Sequence, residues 1–107
     1  MIFGGLGRDS LTVSKERGVA NGGLGNDRIV LKQKGVGIGG AGADVIRSAT
    51  ADRTLLIGGA GRDRFIAAGA ARVDARDGER DVVICHGTRV QVKADRQDLL
   101  RGACEKV

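Results

Sequence analysis

Gly22-Gly23-Leu24-Gly25-Asn26-Asp27 is a phrase the chain repeats. It is preceded by Gly4-Gly5-Leu6-Gly7-Arg8-Asp9 and followed by Gly39-Gly40-Ala41-Gly42-Ala43-Asp44 and Gly58-Gly59-Ala60-Gly61-Arg62-Asp63. All four read G-G-x-G-x-D, and two residues past each aspartate stands an apolar side chain: Leu11, Ile29, Ile46 and Phe65. A weaker fifth copy, Arg76-Asp77-Gly78-Glu79-Arg80-Asp81, keeps the aspartate and Val83. A sixth, Lys93 to Asp98, keeps only Asp98 and Leu100. The six aspartates are separated by 18, 17, 19, 18 and 17 residues. A fixed period of that length marks a solenoid, in which each coil buries its apolar side only by stacking on its neighbours.

Composition agrees. Among 107 residues there are 19 glycines, no proline, tryptophan or tyrosine, and only Phe3 and Phe65 as aromatics. A compact globule of this length wants larger core residues, whereas a narrow stack of small aliphatics does not. The 41% hydrophobic content argues against disorder. No apolar run approaches the roughly 18 residues that would cross a membrane. Met1-Ile2-Phe3 leads straight into a glycine turn with no leader-like segment and nothing capping the first coil, so the chain reads as a piece of a longer protein rather than as one whose open edge an upstream partner covers.

The G-G-x-G-x-D-x-U-x pattern resembles the hemolysin-type (RTX) calcium-binding repeat. That resemblance covers nearly the whole chain. It implies an all-β, right-handed parallel β-roll (a β-solenoid) of about 18 residues per coil and five to six coils. Residues 1–81 would form the calcium-binding repeats, and 82–107 a degenerate last coil and C-terminal cap, within one continuous domain. It also implies an extracellular setting and Ca2+ as the ligand, held by Gly4, Gly5, Gly7 and Asp9; Gly22, Gly23, Gly25 and Asp27; Gly39, Gly40, Gly42 and Asp44; Gly58, Gly59, Gly61 and Asp63; and Asp81.

The chemistry of these residues suits that ion. Calcium takes six to eight oxygens at about 2.3–2.6 Å. Glycines turn the backbone into positive φ and aim carbonyls into a shared space, which an aspartate closes with charge. Coils about 4.8 Å apart stack the carboxylates. At an effective dielectric of 20, two such charges about 5 Å apart cost roughly 3 kcal/mol. A cation would fill that ladder. The pair Asp27–Asp44 is the best expected site, followed by Asp9–Asp27 and Asp44–Asp63, then Asp63–Asp81; Asp81–Asp98, with no glycine in its second turn, is not expected to bind. Arg8, Arg62 and Arg80 precede ladder aspartates and Arg28 and Arg64 follow them. Those guanidiniums either neutralise the carboxylates in place of metal or alternate outward into solvent.

Period-two alternation predicts two short strands per coil. After the aspartates, Leu11, Ile29, Ile46, Phe65, Val83 and Leu100, with Val13, Leu31, Ser48, Ala67, Cys85 and Gly102, should face inward. Before the turns, Met1, Val19, Val36, Leu55, Val73 and Val90, with Phe3, Asn21, Ile38, Ile57, Ala75 and Val92, should do the same. The turns of the opposite edge lack the motif, so one calcium edge and one bare edge are expected. The segments around Cys85 and Cys104 are similar to the closing segments of some secreted bacterial repeat proteins, which implies a Cys85–Cys104 disulfide. Two free thiols remain the alternative, while a zinc site with His86 lacks a fourth ligand. Asp95 to Gly102 reads as a polar turn or helical cap.

No catalytic constellation is found. Gly35-Val36-Gly37-Ile38-Gly39-Gly40 satisfies the dinucleotide fingerprint, but a strand and another glycine turn follow where a helix is required. Cys85 and His86 are adjacent, so they point to opposite faces of a strand. The net charge of +5 and pI near 9.9 suggest acidic cell-surface polymers or anionic lipid as partners. Nucleic acid is not expected, with no stacking aromatics and basic residues scattered along the chain. Open coil ends offer self-association. Beside calcium binding stand a metal-independent structural or adhesive solenoid and the repeat tail of a secreted hydrolase.

Overall fold

The structure, a computed structural model, describes residues 2–50, 52–75, 80–95 and 98–106. Met1 and the fifth-turn residues 76–79, Gly78 among them, lie outside the described residues. The strands are β1 (Ile2–Phe3), β2 (Ser10–Val13), β3 (Gly18–Asn21), β4 (Arg28–Leu31), β5 (Gly35–Ile38), β6 (Val45–Ser48), β7 (Thr54–Ile57), β8 (Arg64–Ala67), β9 (Ala71–Asp74), β10 (Val82–Lys93) and β11 (Leu99–Lys106). All pairings are parallel. The odd strands stack as β1-β3-β5-β7-β9 and the even ones as β2-β4-β6-β8, and the long β10 continues both stacks. The chain is a β-solenoid of about five turns, about 18 residues apart, with no helix among the described residues.

Register ties each coil to the next. Leu11 pairs with Ile29, Ile29 with Ile46, Ile46 with Phe65 and Phe65 with Val83. These residues, with Val13, Leu31, Ser48, Ala67 and Cys85, face inward and are buried, as their alternation predicts.

The strands before the turns differ from expectation. Their inward row is Ala20, Gly37, Leu56, Val73 and Val92, one residue past Val19, Val36 and Leu55, which face outward. Asn21, Ile38 and Ile57 face outward too. The reason is room. A Cβ on Gly37 would stand 3.2 Å from Ile46 Cγ2 and 3.3 Å from Ile29 Cγ2, so at this coil the large side chains leave space only for a small residue opposite. Phe65 likewise fits because Gly58 carries no Cβ, which would lie 2.6 Å from its ring. Val73, Val90, Ala75 and Val92 are buried as expected, because the register steps at the fifth turn. There Ile57 pairs with Asp74, so Ala75 takes the place of Gly58 and the path to Asp81 is one residue longer than Gly58 to Asp63.

The last coil is closed covalently. Cys85 and Cys104 form a disulfide with Cα atoms 5.4 Å apart, joining β10 to β11. Between those strands Asp95 and Asp98 are joined by two hydrogen bonds: the Asp98 N–H donates to the Asp95 carbonyl at 3.2 Å, and the Asp95 N–H to Asp98 Oδ2 at 2.7 Å.

Candidate metal centre

The glycine turns share one edge, and their aspartates point into the molecule. Asp27, Asp44, Asp63 and Asp81 are all at most 3% exposed, and Asp9 in the first coil is half-buried. Each carboxylate reaches back one coil. The Asp9 N–H donates to Asp27 Oδ1 (2.9 Å), Asp27 N–H to Asp44 Oδ1 (2.8 Å), Asp44 N–H to Asp63 Oδ1 (2.9 Å), Asp63 N–H to Asp81 Oδ1 (2.7 Å) and Asp81 N–H to Asp98 Oδ1 (2.8 Å). The result is a side-chain ladder running beside the sheet hydrogen bonds. Sequence reasoning missed these donors because a backbone N–H has no letter.

The second oxygens are different. Oδ2 of Asp9, Asp27 and Asp44 is buried without a hydrogen-bond partner. Each is tucked against the first glycine of its own turn: a Cβ on Gly4 would lie 2.6 Å from Asp9 Oδ2, and Gly22 and Gly39 sit equally close to theirs. That glycine is therefore required by the carboxylate. The second and third glycines answer to other constraints. Gly23 has φ +82°, and a Cβ there would lie 2.6 Å from the Gly5 carbonyl oxygen. From the second turn on, these two glycines stack too closely on the preceding turn for a side chain at either position. Asn26 adds a further link, its Oδ1 accepting the Ala43 N–H at 2.8 Å.

Asp98 has no such spare atom, since its Oδ1 and Oδ2 accept from Asp81 and Asp95.

Burial raises two carboxyls of the ladder. Desolvation pushes the Asp44 carboxyl up from 3.8 to about 6, against the lowering effect of the Asp27 N–H; the neighbouring Asp27 charge pushes it further up. Asp27 is raised chiefly by the same desolvation. Arg8, Arg28, Arg62, Arg64 and Arg80 are all exposed, and none contacts Oδ2 of Asp9, Asp27 or Asp44. Of the two readings of these arginines, the outward one describes the structure at these three turns.

An unpartnered buried carboxylate oxygen in each of three stacked turns suits a hard cation. Among the described residues no three His, Cys, Asp or Glu side chains converge on one point. Such an ion would therefore draw on glycine carbonyls as well as carboxylates. A groove of about 470 Å³, lined by Arg8, Asp9, Ser10, Asn26, Asp27, Arg28, Ala43 and Val45, opens these turns to solvent. Compared with protein-family models, curated proteins and solved structures, the chain matches none, so the reading of this edge rests on its geometry.

Proposed function

We propose that the glycine edge binds calcium and that the ion stabilises the solenoid. The observation that carries this reading is the stack of buried Oδ2 atoms on Asp9, Asp27 and Asp44, each orphaned while its Oδ1 partner is engaged along the ladder or, at Asp9, stands at its open end. The ion would supply the positive charge that these carboxylates lack. Its ligands would come from Asp9, Asp27, Asp44 and Asp63, from Asp81, and from carbonyls of the turns Gly4–Gly7, Gly22–Gly25, Gly39–Gly42 and Gly58–Gly61. Asp98 is left out, since both its oxygens already accept a backbone N–H. The repeat then belongs with the calcium-binding β-rolls it resembles, as a module of a secreted or surface protein. The Cys85–Cys104 disulfide supports an oxidising compartment.

Isothermal titration with calcium after exhaustive chelation tests the proposal. Saturable heat with calcium, absent with magnesium and lost in Asp27→Asn/Asp44→Asn, is the expected result. No heat in a folded sample rejects it. One observation favours a second reading, a metal-independent structural solenoid: the Oδ1 to N–H ladder already gives the carboxylates of Asp27, Asp44, Asp63 and Asp81 a structural partner.

A further inference from the structure

The arginines that leave the ladder collect on one broad face. The molecule measures 32 × 29 × 15 Å, and its two sheets are its broad faces. On the sheet of the even-numbered strands, register sets two outward rows. One is Ser10, Arg28, Val45, Arg64, Val82 and Leu99; the other is Thr12, Val30, Arg47, Ile66, Ile84 and Arg101. From the second coil on, every position in both rows is an arginine or an aliphatic residue. The four arginines are exposed, with Val30, Val45, Ile66, Val82 and Ile84 half-buried between them. Arg8, Arg62 and Arg80, each one residue before a ladder aspartate, add three exposed guanidiniums at the glycine-edge rim. Arg8 lines the same groove as Ser10, Arg28 and Val45, so that rim opens on this face.

No carboxylate stands in either row. The outward rows of the opposite sheet differ, carrying Arg72 and Lys93 with Asp74 among them. Like charges set directly opposite one another destabilise a sheet. Here Arg28 stands between Ser10 and Val45, Arg47 between Val30 and Ile66, and Arg64 between Val45 and Val82, so no two stack directly. The face therefore carries its charge without an acid of its own, and the counter-charge is left to a partner.

We infer that this face docks on an anionic phospholipid membrane, its guanidiniums on headgroup phosphates and its aliphatic side chains at the boundary with the acyl chains. The charge is spread in two dimensions, over two rows and a rim, which suits an extended anionic surface. A linear polyanion follows a single groove, and nucleic acid would call for stacking aromatics, of which neither row holds one. Arginine's planar fork takes phosphate oxygens two at a time. Basic side chains interleaved with apolar ones are the chemistry of a membrane interface. The inference rests on the fold and not on the metal.

The test is co-sedimentation with phosphatidylcholine vesicles made with and without phosphatidylglycerol, in calcium buffer, with circular dichroism on the same samples. The protein should pellet only with the phosphatidylglycerol vesicles, and less as salt rises. Arg28→Gln/Arg47→Gln/Arg64→Gln should weaken binding by at least about tenfold. Arg17→Gln/Lys34→Gln/Arg53→Gln removes equal charge at the bare edge and should leave it within about threefold. Ile66→Thr/Ile84→Thr keeps every charge and should weaken it by at least about threefold. Should the arginine triple variant fail to fold, the single variants Arg47→Gln and Arg64→Gln carry the comparison. Equal losses in the two charge sets, binding that ignores the isoleucine changes, binding to a soluble acidic protein or to DNA but not to vesicles, or no binding by folded protein would each overturn the inference. A folded protein indifferent to calcium that still binds the vesicles overturns only the metal reading.

Discussion

Replacing Asp44 by asparagine should stabilise the protein in chelator and destabilise it in calcium. Asp44 is 1% exposed, its carboxyl raised from 3.8 to about 6, mainly by desolvation. A carboxyl whose folded value lies above its unfolded one contributes most below the unfolded value, and that contribution is lost as pH rises through the folded value. At pH 7 without metal the buried charge therefore costs about 3 kcal/mol. Asparagine keeps the Oδ1 acceptor for the Asp27 N–H and removes the charge, but buries an amide with little to bond, at about 1–2 kcal/mol. The net gain in EDTA at pH 7 is about 1–2 kcal/mol, a rise in melting temperature of roughly 5–15 °C for a domain of this size. In millimolar calcium the order reverses, because the wild-type charge then has its counter-ion. Thermal melts of both proteins in EDTA and in calcium, at pH 5 and pH 7, measure it. The wild type in EDTA should melt higher at pH 5 than at pH 7, and the variant should flatten that dependence. A variant that melts lower than wild type in EDTA, or a wild type indifferent to pH between 5 and 7, refutes the reasoning.

Three further substitutions probe the turns, the closing staple and the core. Gly22→Ala drives a Cβ into the Asp27 carboxylate and should cost more than about 2 kcal/mol, while Gly7→Ala, with open space but φ +88°, should cost about 1–2 kcal/mol; urea titration of the pair separates contact from conformation. Cys85→Ser/Cys104→Ser removes the bridge closing the last coil, and a loss of about 3 kcal/mol is expected in the same titration. Phe65→Ala empties the largest buried side chain, and its denaturation midpoint should report a loss of about 3–5 kcal/mol.

The turns were legible because glycine and aspartate announce their own constraints. The strand after each aspartate was legible as well, since Ile29, Leu31 and Phe65 stand at alternating positions that only a core can use. The strand before each turn was not. Val36 and Ile38 look like core until Ile29 and Ile46 are placed opposite, where even a Cβ on Gly37 would already stand tight against both. Hydrophobic lettering alone cannot rank two faces when the packing partner on the far sheet decides which is inside. The candidate site divides the same way. Its residues stand in the motif, while the division of labour between Oδ1 and Oδ2 depends on which backbone N–H the previous coil presents. The arginine face was present in Arg28, Arg47 and Arg64, yet a chain read in line shows those residues as scattered.

The most direct test of the calcium reading is far-UV circular dichroism with a thermal melt, first in EDTA and then as calcium is raised to millimolar concentration, with magnesium as the control. Calcium, and not magnesium, should increase β-structure or raise the melting temperature, by an amount corresponding to about 2.7 kcal/mol per site at 100-fold excess over Kd. A chain fully folded in EDTA, whose melting does not move with calcium, would contradict it and leave the aspartate ladder as a purely structural device.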